Sequence, residues 1–502
     1  MYLIGLDIGT TGCKTSIFTV EGKLTASAWR EYRVEIPFPN WAEQDAELVW
    51  KLAQETIREA YSKIEGRESV VALGLSCQGE AVTPVDRKGN AIRKTILGMD
   101  TRTDRENEWL VDHLGSKDLF KWTGMPVHTI NTLPKLLWIR NHEPEIWRNA
   151  DKFLLYEDFI INKMTGNTVV SRCLASRTQL YNLQKDSWST EILNSIDLDP
   201  ARLSMVQGSG QVAGTMRRDL ADSLGLPNTP IIASGGHDQA CGALGVGLSR
   251  PGISMVSTGT AEVVEVALDS PGLNSTLEKG NISVYAHVIP GLFLAMTLNH
   301  SGGLVLRWFR DTFCGEEVRQ ARLDGTDPYD LILKNASPEP SSLLLLPHFS
   351  GSGTPHFDTS SKGVIAGLTF GTTKSDIAKA IIEGLTFELK YNLEVLQKGK
   401  IKINELRAIG GGARSEIWLQ MKADVTGIPV VVPKITEAAS WGAAILGGVA
   451  AGCYRDAASA ADTALSFERE YQPNSEKREK YLKRYKLYKQ VYPKMNSILH
   501  GL

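Results

Sequence analysis

An α/β fold built as two domains is what this 502-residue sequence predicts, and three observations predict it. Strand-like and helix-like patterns alternate along the whole chain, the signature of α/β architecture. The length exceeds one ordinary domain, so two or three cores are expected. A strand–turn–strand at the start of the chain has a loose echo at Ile253 to Val264, which points to internal duplication.

The first hairpin runs from Tyr2 to Phe18. An apolar run ends at Asp7, a turn of Gly9, Thr10, Thr11 and Gly12 follows, and a second apolar run begins near Thr15. Gly9 and Gly12 have no Cβ and let a ligand approach the backbone closely. Thr10 and Thr11 offer hydroxyl and N–H donors to phosphate oxygens, and Lys14 adds a positive charge. Asp7, at a strand end, has the oxygen ligands that a hard cation such as Mg²⁺ takes. Read alone, the segment is equally a hairpin whose glycines only make the turn.

The remaining elements follow the same logic. Asp45 to Tyr61 carries apolar residues near helical period, with Asp45 placed to cap it. Val70 to Leu75 is a short strand leading to the polar cluster Ser76 to Glu80. Pro230 to Ala233 is another, ending in Ser234 to Gln239, and the small apolar stretch Ala240 to Gly247 reads as a helix packed tightly on a sheet. Ser257-Thr258-Gly259-Thr260 forms the second Gly/Thr turn. Glu405 to Gly412 reads as a strand ending in three glycines, Ala413 to Thr426 as a helix and Pro429 to Val432 as a strand. Ala439 to Ala451 reads as a buried helix, and Glu476 to Tyr492 as a Lys/Tyr-rich helix with a solvated face. The expected division is residues 1–248, residues 249–455, and a helical tail over 456–502, with the boundary near Ser249 to Gly252.

Composition narrows the function classes. The chain is 42% apolar and 22% charged with a formal net charge of −2, so nothing draws it to nucleic acid or to an anionic membrane. Six scattered cysteines without a C-x-x-C pair fit free thiols in a reducing compartment. No apolar stretch reaches the length of a membrane span, and no basic leader opens the chain. A cytoplasmic protein is expected.

Two Gly/Thr turns, one per half, imply a nucleotide clamped between domains. Phosphoryl transfer then needs positioning, charge neutralisation and one base near the acceptor hydroxyl. Asp238 is the candidate base, since it follows two glycines at a strand end; capping the next helix is the competing role. His237 ranks below it. Gly410-Gly411-Gly412 with Arg414 can take an adenosine, or simply turn a strand into a helix. Gln78, Glu80 and Asp100 are polar groups placed after apolar strands, where they can bind a polyol.

These motifs together resemble the FGGY family of carbohydrate kinases, within the actin/Hsp70/sugar-kinase superfamily. Asp7 to Thr11 resembles the family's first phosphate motif, Trp41 to Asp45 a typical segment, and Thr132 to Trp138 the first family signature. Gly363 to Leu368 with Asp376-Ile377 and Ala380 to Glu383 resembles the second signature closely. The resemblance implies two RNase H-like, actin-like ATPase domains flanking a catalytic cleft, with ATP and Mg²⁺ as cosubstrate and cofactor. It implies Asp238 as catalytic base and Asp7 at the metal; a carboxylate base near its ordinary pKa suffices, because the alcohol loses its proton late in such a transfer. It gives Gly9, Thr10, Thr11, Lys14, Thr258, Gly259 and Thr260 to the phosphates, and Gly411, Gly412 and Arg414 to the nucleoside. Gln78, Gly79, Glu80, Asp100, Asp238 and Gln239 are expected around the sugar. A homodimer is expected, and neither nucleic acid nor membrane as partner.

For the sugar itself, the resemblance points two ways. Glycerol kinases carry Arg where this chain has Gly79 and a Tyr near Ile130, so a roomier site and a longer substrate are expected here. Xylulokinases match in length and pattern yet carry Met-His at Gln78-Gly79. Asn299 to Trp308 is as similar to gluconate kinases. A ketopentose such as xylulose is the expected acceptor, with gluconate or another sugar acid or polyol as the alternative. A non-catalytic sugar- and ATP-binding regulator is the rival from another class. A dinucleotide oxidoreductase is disfavoured, because no G-x-G-x-x-G with a following acidic partner is present.

Overall fold

The computed structural model describes residues 1–66 and 68–502. Its first half is organised on one sheet. Strands β1 (Tyr2–Ile8), β2 (Gly12–Thr19) and β3 (Leu24–Glu31) form an antiparallel meander. On the other side of β1, β4 (Val70–Cys77) and β5 (Ile231–Ala233) add in parallel, and Val212–Thr215 closes that edge. The second half repeats the plan. Strands β6 (Ile253–Thr258), β7 (Glu262–Leu268) and β8 (Phe293–Asn299) form a meander, and β9 (Glu405–Ile409) and β10 (Val430–Pro433) add in parallel to β6. The orders β3-β2-β1-β4-β5 and β8-β7-β6-β9-β10 are the same, so the duplication inferred from two similar turns is a duplication of whole sheets.

Period-two alternation sorts β1 onto two faces. Ile4, Leu6 and Ile8 face outward into a core with Val49, Ala53 and Ile57 of helix α1 (Ala46–Ser62). Asp45 caps that helix as expected, its Oδ1 accepting from the N–H groups of Glu47 (2.9 Å) and Leu48 (3.2 Å). Leu3 faces inward, into a core shared by both halves.

Two helices cross in that shared core: α2 (Asp238–Gly245) and α4 (Ala438–Ala450). Between them in sequence lies α3 (Glu416–Thr426), on the second sheet's outer side. Helix α4 belongs by sequence to the second half, yet it lies on β1 and β4 of the first. Glycine makes this contact possible. A Cβ at Gly5 would sit 1.8 Å from the Ser440 carbonyl oxygen, and one at Gly74 1.9 Å from that of Ala443. Where the helices cross, Cβ atoms at Gly245 and Gly442 would lie 2.0 and 1.9 Å from the carbonyl oxygens of Ala438 and Cys241. Ala72, Ala240, Leu244, Ala444 and Leu446 fill the space around these contacts.

Two expectations shift by a few residues. The strand read over Glu405 to Gly412 stops at Ile409, because Gly410 turns to φ +80° and comes against the Thr258 carbonyl. A short 3₁₀ turn over Gly411–Arg414 follows, and α3 starts at Glu416, not Ala413, with Ser415 as its N-cap. The segment after 456 is more than helical: Phe467–Tyr471 is an edge strand on β10, and Ser475–Tyr488 packs on α3. Among the described residues no helix is long and apolar enough to cross a membrane.

Because backbone atoms touch at the helix crossing, Gly442→Ala is expected to cost about 1–3 kcal/mol of stability, or to abolish folding, through overpacking. Gly315→Ala, at an exposed site with open space where the Cβ would stand, is the control and is expected to change little. Denaturant unfolding of both variants measures the difference.

Candidate active site

The carboxyl ends of the first sheet's parallel strands meet at one point, the place where open α/β sheets bind ligands. Asp7 pairs in register with Ser76 of β4, whose hydroxyl donates to Asp7 Oδ1 at 2.6 Å. On the other side of β4, Gly236 and His237 pair with Ser76 and Cys77, so Asp238 emerges one residue beyond. Asp7 and Asp238 thus emerge at the same end of the sheet, from the two strands that flank β4. Burial raises the Asp7 carboxyl to about 6, with Glu437 adding to the rise. Burial raises Asp238 to about 7, and the nearby Asp7 charge pushes the same way. Asp238 is thus a stronger base than the ordinary carboxylate that would suffice. Nor is Asp238 the cap of α2: His237 holds that position, and Asp238 is the first helical residue, its Oδ1 accepting from the Gln239 N–H at 2.7 Å. Gln239 itself is half-buried beside it.

The first Gly/Thr turn closes with the Gly9 N–H donating to the Gly12 carbonyl at 2.9 Å, leaving Thr10 half-buried and Thr11 exposed. Lys14, paired in register with Asp7, is held by Glu437 at 2.5 Å, so it reaches a phosphate only by sharing or leaving that partner. Gln78, expected at the sugar, turns the other way. Its Nε2 donates to the Gly9 carbonyl at 3.1 Å and to Gln44 Oε1 at 3.3 Å, beneath the turn.

The neighbouring residues build a second pocket. A Cβ at Gly79 would stand 2.6 Å from His237 Cδ2, so the space that a side chain would take at 79 is filled by that imidazole. His237 Nε2 lies 3.3 Å from Asp238 Oδ1, and burial with the Arg177 charge holds the ring neutral, well below its ordinary pKa. Glu80, held at φ +59°, forms a buried ion pair with Arg177, whose guanidinium lies 4.7 Å over the Tyr285 ring. Tyr285 in turn donates to Glu265 Oε1 at 2.6 Å, and burial raises Glu265 to about 8. This chain of groups joins the two halves. Asp100 is a correction: it is fully buried, and both its oxygens are engaged, by the Ala42 N–H at 2.6 Å and by Arg102 at 2.6–3.0 Å. No lone pair is left facing a polyol on those terms; its task is to fix Arg102 between Trp41 and Trp138.

In the second half, the equivalent turn exposes Gly259 and Thr260. Gly302 and Gly303 brace it from behind, their N–H groups donating to the carbonyls of Thr260 and Gly259 at 2.8 Å each. The Thr258 side chain, expected at the phosphates, is buried in an ion pair instead: Lys422 donates to its hydroxyl at 2.6 Å and to Glu262 at 2.7 Å, and the hydroxyl donates to Glu262 at 2.7 Å. Gly412 packs on Thr258, whereas Gly411 and Arg414 line the cleft. That cleft is a cavity of about 790 Å³ running from Asp7, past Glu437–Ser440 at the start of α4, to Gly410, Arg414, Pro433 and Arg469. Its size suits a nucleotide. Arg177, Glu265, Glu437 and Arg469 carried no sequence signal, because their partners Glu80, Tyr285, Lys14 and Ala413 lie 97, 20, 423 and 56 residues away, outside any local motif.

Comparison with known proteins agrees with this geometry. The model of the N-terminal domain of the FGGY family of carbohydrate kinases matches residues 2–245, and the model of its C-terminal domain matches residues 254–451. A xylulose kinase of Staphylococcus xylosus is 28% identical over 98% of this chain and 99% of its own length. A gluconokinase of Bacillus subtilis is 29% identical over 90% of this chain and 88% of its own. The crystal structure of a xylulose kinase from Brucella ovis superposes with a TM-score of 0.89 at 27% identity, covering 99% of this chain and 100% of that one. Two duplicated sheets, each with a Gly/Thr turn after its first strand, a nucleotide-sized cleft and matches over nearly the whole length place the chain in the FGGY family of carbohydrate kinases, enzymes that transfer phosphate to an alcohol.

Proposed function

We propose that this kinase uses ATP to phosphorylate an uncharged sugar, a ketopentose such as xylulose, with Asp238 as the base. The observation that carries the reading is the placement of Asp7 and Asp238 at the carboxyl ends of the two strands that flank β4, close enough for the Asp7 charge to act on Asp238. Asp238 takes the proton of the acceptor hydroxyl, that oxygen forms its bond to the γ-phosphorus in line, and the bond to the β–γ bridging oxygen breaks to release ADP. The proton stays on Asp238 until it passes to solvent. Thr10 and Thr11 hold the phosphates from one side, Gly259 and Thr260 from the other, and Gly411 and Arg414 hold the nucleoside.

Asp7 suits a divalent cation such as Mg²⁺. It is half-buried, its carboxyl is raised by burial and by Glu437, and among the described residues only Oδ1 is hydrogen-bonded, which leaves Oδ2 for a hard cation. Bound there with the nucleotide, Mg²⁺ would supply charge neutralisation on the phosphates.

A sugar acid is the second reading, as the gluconokinase relative allows. Charge balance weighs against it. Glu80 already balances the Arg177 charge, and Lys135 donates to the carbonyls of Glu80, Ile130 and Asn131; among the described residues Arg177 keeps only Nη1 without a partner. A buried substrate carboxylate would stand near Glu80, against a guanidinium that Glu80 already neutralises.

Asp238→Ala is expected to bind ATP within about twofold of wild type and to lose about 10²–10⁴-fold in sugar-dependent ADP release. Equal turnover would remove Asp238 from the base role, and a wild type without sugar-dependent turnover would favour a binding protein. In a coupled assay, ketopentoses are expected to be turned over at least about 100-fold better than gluconate, measured as kcat/KM. The base must be ionised, so kcat/KM is expected to be flat above about pH 7 and to fall as the pH drops through about 7, where Asp238 gains its proton. A profile flat down to pH 5 would contradict this.

A further inference from the structure

The peptide planes of the first turn are aimed by side chains that sit behind it. A trans peptide holds its C=O and N–H in opposite directions, so fixing one carbonyl aims the next residue's N–H. The Gly9 carbonyl accepts from Tyr32 Oη at 2.7 Å and from Gln78 Nε2 at 3.1 Å. The Thr10 carbonyl accepts from Gln44 Nε2 at 3.0 Å. Gln44 is itself oriented, because its Oε1 accepts from Tyr156 Oη at 2.6 Å and from Gln78 Nε2 at 3.3 Å. All four side chains are at most 5% exposed. Both carbonyls therefore point into the protein body, and the N–H groups of Thr10 and Thr11 point away from it. Among the described residues neither N–H has an intramolecular partner.

We propose that Gln44 and Gln78, with Tyr32 and Tyr156, are positioning residues for the nucleotide, presenting the Thr10 and Thr11 N–H groups to its terminal phosphates. The inference rests on the kinase reading above. It also assigns Gln78 to the donor side of the reaction although it adjoins Gly79 and Glu80 on the acceptor side: its backbone continues β4, its N–H donating to the Ile8 carbonyl at 2.8 Å, while its amide reaches back under the turn. A polar side chain at 78 is then needed for phosphate binding and not for sugar recognition.

The test compares Gln44→Met and Gln78→Met, which keep length and remove the hydrogen bonds, with Tyr32→Phe, which removes one hydroxyl. Each is expected to weaken MgATP binding, measured calorimetrically, about fivefold, the worth of a lost net hydrogen bond. KM for ATP should rise in parallel while KM for the sugar stays within about twofold. The double Gln44→Met/Gln78→Met variant should weaken binding less than the product of the singles, since the two amides support each other. Folded variants that bind MgATP like wild type, or that raise KM for the sugar in place of KM for ATP, overturn the proposal. If a glutamine variant fails to fold, Tyr32→Phe decides, by the same split. Wild-type sugar-dependent ADP release, measured first, separates the two claims: its absence overturns the kinase reading and this inference with it, whereas its presence with unaltered variants overturns the inference alone.

Discussion

Everything in this molecule hangs on backbone meeting backbone where α4 lies against β1, β4 and α2. Dispersion forces reward such closeness, and a void there would have no partner atoms on one side. Gly5 stands two residues before Asp7, and Gly74 two residues before Ser76. The glycines that admit the helix are thus on the strands that carry the functional side chains, one pleat repeat away. The same docking brings Glu437, at the head of α4, to Lys14 and to the rim of the cleft. Core packing and site geometry are one arrangement read at two ends of the same strands.

The two Gly/Thr turns come from equivalent hairpins but are supported by different chemistry. The first is backed by neutral amides and phenols that hold its carbonyls. The second is backed by a buried Lys422–Glu262 pair that takes the Thr258 hydroxyl, and by the N–H groups of Gly302 and Gly303. Breaking such a buried pair from one side strands a charge, which costs more than the pair contributes. Duplication has kept the strand plan while each half solved the fixing of its turn with its own residues. Between the turns, carboxylates dominate: beyond the effect of burial, the Glu437 charge raises Asp7's affinity for protons, and the Asp7 charge raises that of Asp238.

Local pattern made the strands, both turns and the position of Asp238 readable from sequence, because apolar runs that stop at Gly, Thr and Asp need no distant information. The capping of α1 by Asp45 was readable for the same reason. The direction of a side chain was not. Gln78 follows an apolar strand, as a sugar contact would, but its amide is claimed by Gly9 and Gln44, 69 and 34 residues back. Thr258 looks like Thr10 in its motif, yet its hydroxyl answers to Lys422, 164 residues on. Asp100 and Arg102 are two apart, so their pairing was within view; what the pattern hid is the wall of Trp41 and Trp138 that holds the arginine in place. Arg177 and Tyr285 have meaning only once the two halves are joined.

The docking of α4 also sets an order of events during synthesis. The strands β1 and β4 and the helix α2 are complete by residue 245, whereas α4 begins at residue 438. At the usual elongation rate of about 5–20 residues per second, roughly 190 intervening residues take on the order of 10–40 s to make. For that interval the inner face of the first sheet, with Leu3, Ala72 and the glycine grooves at Gly5 and Gly74, has only α2 to cover it. The nascent first half therefore completes its inner face only when a helix that begins at residue 438 arrives.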